Sequence, residues 1–481
     1  MKFEGRLLVI GCGSVSQCTL PLALKLIEMP AQKITILDFV DNRKRVREAL
    51  DAGVKYVVDR ITEENYKTLL AKYVGPGDMI IDLAWNIDCQ AIVQWCHDHN
   101  VLYVNTSVEE WDPYRDTHRE DPTQYTLYAR HMELRKMMAS WKTRDGATAI
   151  VDHGANPGLV SHFTKVALLD IAKKILEEKP KDPRRSGLEQ ALKEKNFAKL
   201  AQITGVKTIH VSERDSQITD QPKQVNEFVN TWSIEGFYEE GVAPAELGWG
   251  THEKKMPKRA FLHRSGPKNQ ICLSSIGMKT WVRSMVPSGE ITGMVIRHGE
   301  AYSISDRLTV WEDGKAVYRP TVHYAYCPSD VAINSLHEVE MRQFKMQDKL
   351  RIMSDEIISG RDELGVLLMG HDFNAWWTGS CLAIDEARKL VPHQNATTLQ
   401  VAISVISAAL WMIQNPNKGF CLPDDIDHEA ILKVAMPYIK PFISQPFDWT
   451  PLKNRNTKYT DYNNEPVKEE DVWQFTTFLI D

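Results

Sequence analysis

At 481 residues the chain exceeds one ordinary domain, and 43% hydrophobic with 25% charged residues is the make-up of a globular protein with a large core. A net charge of −6, without a basic arm or a Lys/Arg-rich face, leaves no electrostatic case for nucleic acid. The eight cysteines contain no CxxC pair, which points to free thiols in a reducing cytoplasm and away from a structural zinc or other bound metal.

In chain order, Met1–Arg6 lacks the apolar core and cleavage site of a signal peptide and runs straight into a strand at Arg6–Ile10. A glycine turn follows, then a helix from about Ser16 to Glu28. Further strands are predicted at Lys33–Asp38, Val54–Val58, Asp78–Ala84, Val101–Asn105 and Thr148–Asp152, with a helix over Cys89–Asn100. Continuous apolar strands separated by helices predict an α/β fold that opens with a Rossmann-like, doubly wound parallel sheet. After Gly158 the pattern is helical to about Leu200, with a polar loop near Lys179–Ser186. From Val206 to about Tyr326 it is strand-rich, as in an α+β substrate domain, and from about Ile333 it reads as mostly helical. The longest apolar run, Val401–Ile413, is too short to cross a bilayer and reads as a buried helix. The domains so drawn are 1–155, 156–375 and a C-terminal helical segment 376–481 that partly returns to the first.

Gly11-Cys12-Gly13-Ser14-Val15-Ser16 lies between a strand and a helix. Gly11 permits the tight turn, Gly13 lets the backbone approach a pyrophosphate, and the helix start offers unpaired N–H groups to it. Ser16 stands where glycine or alanine is usual and still allows close packing. Asp38 ends the second strand, where a carboxylate accepts ribose hydroxyls and repels a 2′-phosphate, so the cofactor expected is NAD. In such a sheet the ligand crosses the C-terminal strand ends. That selects Ala84-Trp85-Asn86, Thr106-Ser107-Val108-Glu109 and Gly154-Ala155-Asn156-Pro157-Gly158. Asn156 suits the nicotinamide or the substrate, although Asn-Pro-Gly is equally a plain turn.

Between Lys223 and Lys254 there is no lysine or arginine but there are six glutamates: Glu227, Glu235, Glu239, Glu240, Glu246 and Glu253. Phe228, Trp232, Phe237, Tyr238 and Trp249 are interleaved with them. Acids with indole faces suit a cationic amine; a solvated acidic surface over core aromatics has the same composition. Arg297-His298-Gly299-Glu300 is expected at a strand end, with Glu300 on the same side as His298 if the strand continues. One histidine beside one acid is also common on surfaces.

Longer strings carry a resemblance over nearly the whole chain. They include His153–Gly158, Glu213-Arg214-Asp215, Phe228–Ser233, Pro244–Gly250, Tyr318–Thr321, His323–Tyr326, Asp362–Leu368 and Gln394–Thr397. With these the sequence resembles the bacterial homospermidine synthases, relatives of the saccharopine dehydrogenase-like enzymes. The resemblance implies a homodimeric enzyme in which NAD, as a retained redox group, supports the joining of two putrescines into homospermidine with release of ammonia. It also implies roles: Trp232 over the amine, Glu213 as anchor of the distal ammonium, Glu240 near the reacting end, and His298 with Glu300 for proton transfer. Asp362 and Asn156 match further site positions, with Glu109 nearby. Some relatives carry aspartate where this chain has Asn86. The alternatives are an NAD(P)-dependent reductive-amination dehydrogenase of the saccharopine or carboxynorspermidine type, and a non-catalytic NAD-binding sensor.

Overall fold

In the computed structural model, residues 1–115, 121–143, 145–454 and 467–480 are described. The N-terminal sheet has seven strands in the order Phe420–Cys421, Ala149–Ile150, Leu102–Asn105, Met79–Asp82, Leu7–Ile10, Ile34–Asp38, Lys55–Val58. Every pairing in it is parallel. The order reverses between Leu7–Ile10 and Met79–Asp82, so their C-terminal ends open the crevice that binds ligands in doubly wound sheets. Four strands are buried along their full length or nearly so, as strands covered on both faces must be. The first helix, Ser14–Leu26, begins directly after Gly13.

The second sheet is mixed and has eleven strands. At its centre Thr208–Asp215 runs parallel to Thr321–Cys327 and antiparallel to Arg361–Met369. Ala375–Ala383 and Phe442–Phe447 extend one edge, and Pro244–Gly248 and Gln270–Ile276 the other. The helix Leu159–Glu178 buries its apolar face on this sheet and shares a core with the nucleotide-side helices.

Three expectations change. The chain beyond Ile333 is not mostly helical: Arg361–Met369 and Ala375–Ala383 form a long antiparallel pair, so a boundary at residue 375 would cut a hydrogen-bonded hairpin. These strands are buried on nearly every residue, and a strand covered on both faces has no clean alternation to separate it from a buried helix. The segment 376–481 is likewise no helical block. Its helix Ala396–Gln414 packs on Ser14–Leu26, its Phe420–Cys421 becomes the outermost strand of the parallel sheet, and Phe442–Phe447 and Leu479–Ile480 belong to the mixed sheet. Finally, Ala396–Gln414 spans 19 residues and is long and apolar enough to cross a membrane, but 83% of its apolar 18-residue stretch is buried inside the fold. It is a core helix, with Thr397, Thr398, Gln400, Ser404 and Ser407 among its buried positions.

Candidate active site

A cavity opens where the ends of the parallel strands face the mixed sheet. Val15, Ala84, Trp85, Thr106, Glu109, Ala155, Asn156 and Pro157 line it from the first lobe. Glu213, Trp232, Glu239, Glu240, Arg297, His298 and Tyr324 line it from the second.

The nucleotide side is built by the glycine turn. Gly11 has φ +84°, and a Cβ there would come within 2.9 Å of Leu83 O, so both its conformation and its space require glycine. A Cβ at Gly13 would meet no protein atom within 4 Å. This open face lies at the start of Ser14–Leu26, which has no side-chain cap and no acid in its first turn. Its N–H groups are free for an anion. Ser16 Oγ donates to Gly11 O at 2.7 Å, bracing the turn. The carboxylate of Asp38 accepts from Cys12 N and, at 2.7 Å, from Val40 N, holding it beside the turn with acceptor capacity left for a sugar hydroxyl. The glycine cradle, the uncapped helix and the carboxylate fit a dinucleotide without a 2′-phosphate.

The substrate side is set by strand register. Glu213 and Asp215 are two apart on Thr208–Asp215, and so project from one face. Asp362 is paired with Asp215, and Tyr326 with Glu213. Three carboxylates are thus buried together. Thr231 and Gln217 satisfy Asp215 at 2.6 and 2.9 Å. Gln400 donates to Asp362 Oδ2 at 3.1 Å, while Asp362 Oδ1 has no partner. Glu213 accepts from Asn156 Nδ2 at 2.6 Å and from the Tyr324 hydroxyl. Burial drives all three carboxyls up, Glu213 to about 7, and repulsion from the neighbouring carboxylates adds to it at Glu213 and Asp362. The strongest influences on them are burial, hydroxyls, amides and one another, with no lysine, arginine or histidine. Such a cluster holds protons until a cation arrives to pair with it.

Trp232 follows the strand Glu227–Asn230, and its Nε1 donates to Tyr326 Oη at 3.1 Å, which fixes the indole. Tyr324 and Tyr326 stack at 5.2 Å beside it. His298 Nε2 lies 3.6 Å from Glu240 Oε1, and the ring meets Tyr324 edge-on at 4.3 Å. Burial pushes His298 down to about 3 and Glu240 well up, so both are neutral at pH 7 in the free cavity.

The His298–Glu300 reading is corrected. The backbone turns into the helix Gly299–Arg307 directly after His298, so Glu300 is not on a continuing strand. It lies behind the cavity wall with both carboxyl oxygens buried and unpartnered, and Glu240 takes the place beside His298. Asp362 also lies behind the wall, and Asn86, at φ 59° with a buried, unpartnered Oδ1, is outside the lining.

The acidic, aromatic segment divides. Glu239 and Glu240 reach the cavity, and of its aromatics only Trp232 does. Glu246 binds Leu127 N at 2.6 Å, Glu253 binds Thr321 Oγ1 at 2.6 Å, and Glu227 pairs with Arg351 at 2.9 Å. Phe228, Phe237 and Trp249 are core. Two arginines from outside the segment line the cavity. Arg130 reaches Glu239 at 2.7 Å and Glu110 at 3.1 Å, and Arg297 also pairs with Glu239. Burial works to raise Glu239, yet the two guanidinium groups hold it below its usual range. Glu109, with Ser107 Oγ at 2.7 Å, is raised to about 7 by burial and by Glu239. Trp85 Nε1 donates to Glu239 at 3.3 Å across the lobes. Arg130 carries no sequence motif; Glu239 stood out only as one of six glutamates in the acidic segment, and Asp215 and Tyr324 only within the strings Glu213-Arg214-Asp215 and His323–Tyr326.

Residues 7–150 match the saccharopine dehydrogenase NADP binding domain, and residues 154–445 the saccharopine dehydrogenase C-terminal domain. Homospermidine synthase from Mesorhizobium japonicum is 39% identical over 489 aligned positions, covering 100% of this chain and 97% of that one. The chain belongs to the homospermidine synthase family. The Blastochloris viridis homospermidine synthase is likewise 39% identical, across 100% of this chain and 98% of its own length. The crystal structure of the Legionella pneumophila homospermidine synthase in complex with NAD superposes with a TM-score of 0.87 at 37% identity, covering 100% of this chain and 99% of that one. The acidic cluster, the indole and the glycine cradle therefore sit in an enzyme of this family.

Proposed function

We propose that this chain condenses two putrescine molecules to homospermidine, releasing ammonia, with NAD retained at the Gly11–Asp38 cradle. The observation that carries the reading is the buried Glu213–Asp215–Asp362 cluster, which forms no ion pair with a lysine, arginine or histidine among the described residues and opens onto the nucleotide crevice through Asn156. A diamine supplies the missing charge and presents its other end to the crevice.

Bound in its cradle, NAD would supply a reversible hydride acceptor. Glu213 holds the distal ammonium, and Asn156 Nδ2 ties that carboxylate to the nucleotide lobe, fixing the depth of the diamine. The Trp232 face, fixed by Tyr326, stabilises positive charge at the reacting carbon. Neutral His298 accepts a proton at Nε2 from an incoming ammonium, and the protonated Glu240 carboxyl offers one to the departing nitrogen. Arg130 and Arg297 would suit a carboxylate-bearing substrate of a reductive-amination dehydrogenase, but Glu239 and Glu110 already neutralise them. The eight unpaired thiols support a reducing, cytoplasmic setting, and the proposed form is a homodimer.

The test is incubation of the purified protein with putrescine and substoichiometric NAD, followed by mass analysis of the polyamines. Homospermidine in excess over NAD is expected. NADH accumulating in proportion to product, or no condensed product, would refute the proposal.

A further inference from the structure

Asp152 and His131 have no part in the chemistry so far. Asp152 leaves the strand Ala149–Ile150 at φ 64°, with its N–H donating to Asn105 Oδ1 at 2.9 Å. Asp152 lines the reaction cavity, and its Oδ2 lies 2.9 Å from His131 Nε2 on the helix Leu127–Ala139. His131 is absent from that cavity but lines a second one, with Arg135, Tyr302, Arg307 and Asp425. A Cβ at Gly299 would stand 2.1 Å from Asp152 Oδ2, so a residue without a side chain is what admits the carboxylate between cavity and ring.

We infer that Asp152 and His131 form a proton relay from the reaction cavity to the second cavity. The inference rests on the proposed condensation. Two doubly protonated diamines enter; when a triply protonated homospermidine and neutral ammonia leave, one proton is left for the enzyme to export in each turnover. The new C–N bond forms as the bond to the departing nitrogen breaks, with no net oxidation. The proton that His298 takes from the attacking ammonium is passed on along the hydrogen bond between Asp152 Oδ2 and His131 Nε2, and from the ring to water in the second cavity.

The groups facing the pair fit this role. Glu300, next to Gly299, is raised by burial and then by Asp152, and stays protonated. The Cys89 thiol is raised by burial and again by Asp152, and also stays neutral. On the far side Tyr302 packs on His131 at 4.9 Å with its hydroxyl unpartnered, and Arg135 lies over Tyr302 at 5.1 Å.

His131→Ala and Asp152→Asn should each lower kcat at least tenfold, since positioned proton transfer contributes roughly 10²–10⁴ in rate. The KM for putrescine should not change. Added imidazole should restore His131→Ala through the second cavity but leave Asp152→Asn slow, because that break lies upstream. Full activity in both variants, or a loss in His131→Ala that imidazole does not restore and that comes with a lower melting temperature, would make the pair a tie between helix and strand and overturn the relay. Wild-type protein forming no homospermidine would instead refute the condensation itself.

Discussion

Asn156 Nδ2 and Glu213 Oε2 lie 2.6 Å apart, although one residue leaves the parallel sheet of the nucleotide lobe and the other sits in the centre of the mixed sheet. This hydrogen bond joins the lobes where the cofactor and the diamine must meet. The neutral amide leaves the Glu213 carboxyl free to ionise against a bound cation, whereas a lysine in its place would neutralise the anchor. Tyr324, which also donates to Glu213, completes a set of neutral donors.

Glu213→Gln should therefore weaken putrescine without touching the cofactor. A hydrogen bond to a charged group is worth about 1.5–3 kcal/mol, so the KM for putrescine should rise roughly 10- to 100-fold. NAD affinity, followed by fluorescence titration, should stay within about twofold. An unchanged KM would remove Glu213 as the anchor.

Trp232→Ala should act on the rate. A desolvated cation–π contact contributes about 2 kcal/mol, or roughly thirtyfold, and its effect belongs in kcat if the charge develops during the reaction. Trp232→Phe should recover part of the loss because it keeps a π face without the donor to Tyr326. Equal, small losses in kcat and NAD affinity would reduce the indole to packing.

The legible part of this protein was the part governed by local rules. A strand, two glycines, a helix and Asp38 follow one another within 30-odd residues, and the parallel strand ends follow from them. The rest depends on long-range pairing. Asp362 meets Asp215 only through the register of Arg361–Met369 on Thr208–Asp215, and Arg130 reaches Glu239 across 109 positions of sequence. Lack of basic residues within 223–254 said nothing about arginines arriving from elsewhere. The expected His298–Glu300 alignment failed because Gly299 starts a helix, and a two-residue spacing shares a face only in a strand.

Stability of the free protein should depend on pH through Glu213. Its folded value of about 7 lies above the ordinary 4.5, so the native state holds a proton that the unfolded chain has lost in that interval. This contribution is fully present below about pH 4.5 and is lost as pH rises through about 7. The melting temperature of wild type should fall between pH 5 and 8 more steeply than that of Glu213→Gln. Putrescine, which needs the ionised carboxylate, should raise it more at pH 8 than at pH 5.5. Identical pH slopes in the two proteins would show that Glu213 does not titrate there.

The two glycines of the turn should respond in opposite ways. Gly13 has open space where a side chain would go and φ −74°, so Gly13→Val should fold with an unchanged melting temperature while its methyl groups occupy the approach of the pyrophosphate. NAD binding, and the stabilisation it gives by mass action, should disappear. Gly11→Ala has neither the space nor the conformation. A Cβ within 2.9 Å of Leu83 O at φ +84° should lower stability by at least about 1 kcal/mol, with or without cofactor. Thermal melts of both variants with and without NAD separate the effects. A Gly13→Val protein that still gained stability from NAD would move the cofactor away from this turn.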